Sequence, residues 1–524
     1  MTATLRVEAD GRHETIKLRT FSGTLADHLA RAGFPLNTRC SQRGLCRGCR
    51  VIDGTGAELL ACGMRVNPGD DLAIRIPGRS LLAHAPSVVS DFRTGVPAGS
   101  DPVFNGQKPF GLAVDIGTTT VAVLIADLAS GRVLARASSL NAQVSSGDNV
   151  LTRIHLCQMD PANIARLQRA FWQDTFEPLF HQILSTAGLS AGDIAGAVVA
   201  GNTTMLHLAC GEDPTPMGMV PFLPAFLDER RFAGPDSLFA ALPEIVFLPG
   251  LSAYVGADLV AGAACRGLEY SASPQLLIDV GTNGEMILAD ADGLLACATA
   301  AGPAFEGCGL LCGMRAADGV VGRMELAADP FGVSCDAIGG SSSGFHGITG
   351  SAYIDFLASG HRTGLLEDNG RFSKPFVSAH PGWFRAEESG LSFVPDPAHP
   401  DIRISEVDVA LLLQAKAAIA AGVETLLERR GLTARDISTL HLAGGFGLHL
   451  SIPNAIACGL LPGFEPGQIE AVGNTSLGGA YLALLDRSLL EEMGALRSQS
   501  ETIELNLDPG FEDRYLDHLS LSTG

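Results

Sequence analysis

Basic residues are scarce in this chain. Its 524 residues include 36 Lys and Arg against 57 Asp and Glu, a formal net charge of −21. Phosphate backbones and anionic bilayers are both held by clustered cations, so neither a nucleic acid nor a membrane surface is expected as a partner. Charged residues of either sign make up 18% and hydrophobic residues 46%, which excludes wholesale disorder and allows full cores. Missing too is an uninterrupted apolar run of the roughly 20 residues that a bilayer span needs. The greasiest stretch, Val409 to Leu427, is broken by Gln414, Lys416 and Glu424. The start of the chain shows no basic segment leading into an apolar one, so a cytoplasmic location is expected.

Glycine is plentiful, with 62 residues, which predicts many turns and close backbone approaches. The length suggests about two to four domains. Residues 1–78 read as a small β-rich module in which Leu5, Val7, Ile16 and Leu18 alternate with polar residues. A short helix is expected around Leu25 to Ala32 and a last strand near Leu72 to Ile76. Residues 79–108 lack periodicity, end in Asn105-Gly-Gln-Lys-Pro109, and read as a linker. Residues 109–270 and 271–524 alternate strands and helices as two lobes of an α/β body. The two lobes share an echo: Ala113-Val-Asp-Ile-Gly-Thr-Thr-Thr120 is matched by Leu277-Ile-Asp-Val-Gly-Thr-Asn-Gly284. Two copies of one device suggest related halves that face each other.

Twelve cysteines are present, and most read as small buried hydrophobes. One set has ligand spacing: Cys40-x5-Cys46-x2-Cys49-x12-Cys62. Four converging thiolates suit a [2Fe–2S] cluster, with Gly44 and Gly48 letting the loop wrap tightly and point N–H groups at the sulfides. A four-thiolate zinc site and a Cys46–Cys49 redox dithiol remain open on spacing alone. The first three positions resemble the plant-type C-x4-C-x2-C run lengthened by one residue, as in adrenodoxin-like ferredoxins. With their β-rich flanks they look like a β-grasp ferredoxin domain. The x12 interval before Cys62 is short for such a domain and implies a trimmed hairpin and a more exposed cluster.

Asp115-Ile-Gly-Thr-Thr-Thr120 lies between two apolar strands, as a phosphate loop would. Gly117 permits the turn, and Thr118, Thr119 and Thr120 offer hydroxyls and N–H groups to phosphate oxygens. Asp115 can hold Mg²⁺ through water. Asp279, Gly281, Thr282 and Asn283 repeat the device, and Gly444 and Gly445 follow a strand where backbone can lie against an adenine. Together these elements resemble the superfamily of acetate and sugar kinases, Hsp70 and actin, which implies a two-lobed actin-like ATPase. Small-molecule kinases of that superfamily place a carboxylate base where this chain has Asn202, an amide that cannot accept a proton in that way. ATP hydrolysis driving a change of shape fits better than phosphoryl transfer to a substrate. Glu306 is the candidate for orienting the attacking water, with Glu285 its rival; His207 and His441 read as core histidines.

An N-terminal [2Fe–2S] domain joined to this ATPase resembles the reductive activators of corrinoid proteins. Gly201-Asn-Thr-Thr-Met205, Ala301-Gly-Pro-Ala-Phe-Glu-Gly307, Gly313-Met-Arg-Ala316 and Gln414-Ala-Lys-Ala417 look like that family's motifs. The resemblance implies ATP, Mg²⁺, an upstream electron donor, and a corrinoid (cobalamin) partner of a methyltransferase or methionine synthase whose Co(II) is reduced to Co(I). It leaves a homodimer open. A cluster-bearing ATP-dependent chaperone or redox sensor, and an activator of radical dehydratases, are the competing functions. The chain departs from the family in two ways: its short linker holds no extra small domain, and Cys308 and Cys312 follow Glu306 where apolar residues are expected; the C-terminal cysteines with which some activators hold [4Fe–4S] clusters do not occur after Cys458.

Overall fold

The computed structural model describes residues 2–521 apart from 10–11, 37–47, 78–79, 82–90, 100, 105, 107, 148, 340–344, 388–389 and 448. The first sheet has five strands: β1 (Ala3–Ala9), β2 (Arg12–Leu18), β3 (Arg50–Asp53), β4 (Glu58–Leu60) and β5 (Asp71–Ile76), in the order β2-β1-β5-β3-β4. β1 runs parallel to β5 and antiparallel to β2, so the first and last strands lie side by side at the centre. The alternation read from the sequence is what buries Leu5 and Val7. The helix Leu25–Arg31 starts on a capping box in which Thr24 and Asp27 exchange side-chain and backbone hydrogen bonds. Its buried face, Leu25, Ala26 and Leu29, completes a core that also contains Cys49 and Cys62.

The first lobe is built on β6 (Phe110–Ile116), β7 (Thr120–Asp127), β8 (Val133–Leu140), β9 (Ile194–Gly201), β10 (Arg230–Ala233) and β11 (Glu244–Phe247), in the order β10-β11-β9-β6-β7-β8. The second is built on β12 (Gln275–Val280), β13 (Gly284–Asp290) and β14 (Gly293–Thr299). Thr439–Ala443 and Ile469–Gly473 extend it beside β12, and Ser500–Ile503 beside β14. In each lobe an antiparallel meander of three strands is flanked by two strands parallel to its first. The echo in the sequence is therefore a repeat of topology. β6 and β12 occupy equivalent places, and each ends in an Asp-x-Gly-Thr turn.

The helices Ala257–Arg266 and Thr475–Leu485 join the lobes and pack closely on each other. Glycine makes this possible: a Cβ on Gly479 would lie 2.0 Å from the Ala261 carbonyl oxygen, and one on Gly262 2.9 Å from Thr475 Oγ1. The helix Glu406–Arg429 is long and apolar enough to cross a membrane, but 78% of its apolar window is buried inside the second lobe.

The stretch read as a linker is, in its described part, pinned to the body. Phe92 pairs with Gly473, Gly95 N–H donates to the Cys265 carbonyl at 2.7 Å, and Val103 N–H donates to that of Leu484 at 3.1 Å. Val103 and Phe104 are buried in the first lobe's core. Periodicity failed as a guide here because these residues are anchored one at a time, with no regular element to impose a repeat.

The N-terminal sheet rests on the second lobe through charge. Glu58 on β4 receives Arg50 at 2.9 Å and Arg403 at 3.6 Å, and Arg403 also pairs with Glu387 at 2.7 Å.

Candidate functional site

Two Asp-x-Gly-Thr turns face each other across a cleft of about 240 Å³ between the lobes. Its walls bring together Asp115, Gly117, Thr118, Thr119, Thr120, Asn202, Asp279, Gly281, Thr282, Asn283, Glu306, Gly444 and Gly445. These are all the residues singled out for nucleotide and catalysis. The repeat places both loops at the carboxyl ends of equivalent central strands, where backbone N–H groups point into the opening.

The first loop is braced from three sides. Gly117 N–H closes on the Thr120 carbonyl at 2.9 Å, and a Cβ on Gly117 would come within 2.6 Å of that oxygen. Asn141 donates to the Gly117 carbonyl at 2.9 Å. Arg153, completely buried, donates to the Thr118 carbonyl, to Gln143 Oε1 at 2.9 Å and to the Gly147 carbonyl at 3.0 Å. Asn202 caps the helix Thr203–Cys210 by accepting from Met205 N–H at 3.0 Å, and its amide donates to Thr118 Oγ1 at 2.9 Å. Both ends of that amide are thus engaged in holding the loop.

Asp115 is held on both oxygens, by Asn474 at 2.8 Å and Ser476 at 2.7 Å, from the start of the second connecting helix. In the second loop Gly281 N–H closes on the Asn283 carbonyl at 2.9 Å, Asn283 donates to Glu285 at 3.2 Å, and Thr282 Oγ1 donates to Glu306. Arg315 grips the other oxygen of Glu306 with Nη2 at 2.7 Å and Nε at 3.2 Å. Gly444 has φ +86°, and a Cβ there would lie 2.6 Å from Asp279 Oδ1, so only glycine lets the strand turn this close to the carboxylate. Phe446 stacks on Phe305 at 4.9 Å beside it.

The cleft is strongly acidic. Burial, then the charge of Asp115, pushes Asp279 up to about 7. Burial, then Asp279 and Asp115, does the same to Asp258, also to about 7. Burial raises Glu285 well above the ordinary carboxylate range, with Asp258 and Asp279 adding to it. Asp115 is raised by burial against the pull of its two donors. Carboxylates crowded out of water in this way suit a hard divalent cation that keeps several waters, carried in with phosphate oxygens.

Sequence reasoning missed Asp258, Arg153, Asn474 and Ser476. Asp258 gave one signal, a lone acid in the first turn of an otherwise apolar helix. The other three act on loops far away in the chain. Of the rival for Glu306, Glu285 lines the same cleft. His207 is a satisfied core histidine, with Nδ1–H on the Thr203 carbonyl at 2.7 Å and Nε2 accepting Ala225 N–H at 2.9 Å. Cys308 and Cys312 are buried, the latter with its thiol on the Asp401 carbonyl at 3.4 Å.

Of the four candidate cluster ligands, Cys40 and Cys46 lie outside the described residues. Cys49 and Cys62 are buried in the N-terminal core. The β3–β4 hairpin, which pairs Arg50 with Leu60, continues with Ala61 N–H donating to the Cys49 carbonyl at 3.1 Å. The short x12 interval is a tight hairpin that sets Ala61, the residue before Cys62, against Cys49. Two soft donors at the mouth of one hairpin fit an iron–sulfur or other thiolate-bound centre.

A duplicated α/β lobe with paired phosphate-type loops and glycine-packed connecting helices defines a two-lobed ATPase of the actin-like class. The family profiles agree: the C-terminal domain of RACo, the ASKHA domain, matches residues 273–524, and the RACo middle region matches 110–271. The chain belongs to this family of reductive activators of corrinoid proteins. It is 33% identical over 423 residues to the corrinoid activation enzyme RamQ of Eubacterium limosum, covering 78% of this chain and 70% of that protein. It is 28% identical over 302 residues to the [Co(II) methylated amine-specific corrinoid protein] reductase of Methanosarcina barkeri, covering 53% and 52%. A solved reductive activator for corrinoid, iron–sulfur protein superposes with a TM-score of 0.72 and 29% identity over 98% of both chains.

Proposed function

We propose that this protein uses ATP to drive reductive activation of a corrinoid protein, passing an electron to Co(II) to give Co(I) on a methyltransferase or methionine synthase partner. Family membership carries the reading, and the acidic cleft between duplicated phosphate-type loops is its physical support. Asp115 and Asp279 hold the water shell of Mg²⁺; Thr118, Thr119, Thr120, Thr282 and Asn283 hold the phosphates; Gly444 and Gly445 lie against the adenosine.

The N-terminal module is read as a β-grasp ferredoxin domain, because its first and last strands pair in parallel at the sheet centre with one helix across them. Cys40, Cys46, Cys49 and Cys62 hold the [2Fe–2S] cluster. Such a cluster, when bound, supplies single electrons at a potential near about −400 mV for the plant type. The Co(II)/Co(I) couple of a bound corrinoid lies lower, and each 59 mV of deficit costs a factor of about ten for one electron. The partner complex must shift that couple, and ATP turnover must reset the cycle. A nearly complete conformational switch requires about 5.5 kcal/mol of differential nucleotide affinity, which closure of both loops on one triphosphate would have to supply. An upstream electron donor reloads the protein, which works in the cytoplasm.

The test mixes reduced protein, MgATP and a Co(II) corrinoid protein and follows Co(I) absorption. Co(I) should form with ATP and not without it. Equal formation without ATP, or none with any corrinoid protein, defeats the proposal and favours a chaperone or sensor.

A further inference from the structure

The motif Gly313-Met-Arg-Ala316 lines the cleft through Met314, Arg315 and Ala316. The described walls carry five carboxylates, Asp115, Asp258, Asp279, Glu285 and Glu306. Of lysine and arginine they hold just Arg315. Its side chain is 18% exposed, as is that of Glu306. Nε and Nη2 both reach one oxygen of Glu306, whose other oxygen takes the Thr282 hydroxyl from the second phosphate-type loop. The guanidinium therefore stands one carboxylate away from that loop. Its Nη1 makes no hydrogen bond among the described residues.

An arginine fork binds phosphate and carboxylate by the same geometry, so a phosphoryl group entering here competes directly with Glu306. In the turns that face each other across the cleft, the terminal phosphate of a triphosphate has both loops as neighbours. A diphosphate lacks the group that would reach this far. We propose that Arg315 reads the γ-phosphate: ATP draws the guanidinium off Glu306, while ADP leaves the pair closed. Release of Arg315 also frees the Glu306 carboxylate at the place where a water must be oriented. The pair is thus a latch that keeps Glu306 neutralised until a triphosphate is present. This rests on the cleft being the ATP site.

The test measures binding of MgADP and of the Mg²⁺ complex of a non-hydrolysable β,γ-imido ATP analogue to the full chain by calorimetry. Arg315→Gln should weaken the analogue roughly 10- to 100-fold, the scale of a charge-assisted hydrogen bond, and leave ADP within about threefold. Arg315→Lys, which keeps the charge but not the fork, should show a smaller loss with the same selectivity. Glu306→Gln, which removes the competitor, should bind the analogue as tightly as the wild type or more so. Equal losses for both nucleotides, or no loss for the analogue, overturn the proposal. Should Arg315→Gln fail to fold, Arg315→Lys decides by the same criterion. If the wild type binds neither nucleotide, the ATP site itself is wrong and this latch falls with it. If it binds both and the variants show no selectivity, only the latch falls.

Discussion

Exclusion of water sets the chemistry of individual residues here. Asp258 and Asp279 are pushed up to about 7 chiefly by burial, although both sit in a cleft that must accept a polar ligand. The same cause acts on His441 in the second lobe. Its Nε2–H donates to Gln275 at 2.8 Å, and burial, then Arg266, lowers it from 6.5 to about 4. The folded state therefore keeps this imidazole neutral while the unfolded chain protonates it. The stability this adds is complete above pH 6.5 and drains away as pH falls towards 4, on the order of 2 kcal/mol. His441→Gln should flatten that part of the profile of melting temperature against pH; an unchanged slope would place the acid sensitivity elsewhere. Cys62 offers a second residue-level prediction. On the proposed [2Fe–2S] assignment Cys62→Ser should abolish the visible cluster spectrum, because the hairpin sets Ala61, the residue before Cys62, against Cys49. An intact [2Fe–2S] spectrum in that variant would assign the fourth ligand to another cysteine.

At the scale of elements, the phosphate-type loops were legible in the sequence because each is a strand, a glycine turn and a strand in unbroken succession. The same holds for Gly444 and Gly445 after Thr439–Ala443. The braces were not legible. Asn474 and Ser476 reach Asp115 from 359 and 361 positions away, and no local pattern encodes such a meeting. Arg153 reads as one polar residue on an ordinary surface helix until the helix is seen to press it against the loop. The connecting helices carry their own test. Gly479→Ala places a Cβ against the Ala261 backbone, where no flexible side chain can give way. It should cost about 1–3 kcal/mol in denaturant unfolding, as overpacking does. A neutral result would mean that the two helices slide apart freely.

At the scale of the molecule, the α/β architecture followed from the sequence, but the docking of the N-terminal sheet did not. Glu58, Arg50 and Arg403 look like ordinary surface charges until the fold joins them. The Arg50 and Arg403 side chains are only 7% and 10% exposed, so removing Glu58 takes one anionic partner from each, while Arg403 keeps Glu387. Glu58→Ala should loosen the contact by about 1–2 kcal/mol, given that Glu58 itself is partly solvated. Hydrogen exchange should rise in β3 and β4 and at Arg403 while the cleft strands stay protected; a uniform response would show that the charges do not join the two parts.

The stretch from Asp91 to Phe104 gives the molecule a further property. It touches the far end of one connecting helix at Cys265, then both ends of the other, at Gly473 and Leu484. Any rotation of the lobes about those helices would shift the anchors relative to one another. The stretch would then act as a rein over two pulleys, taken up or paid out with the angle between the lobes.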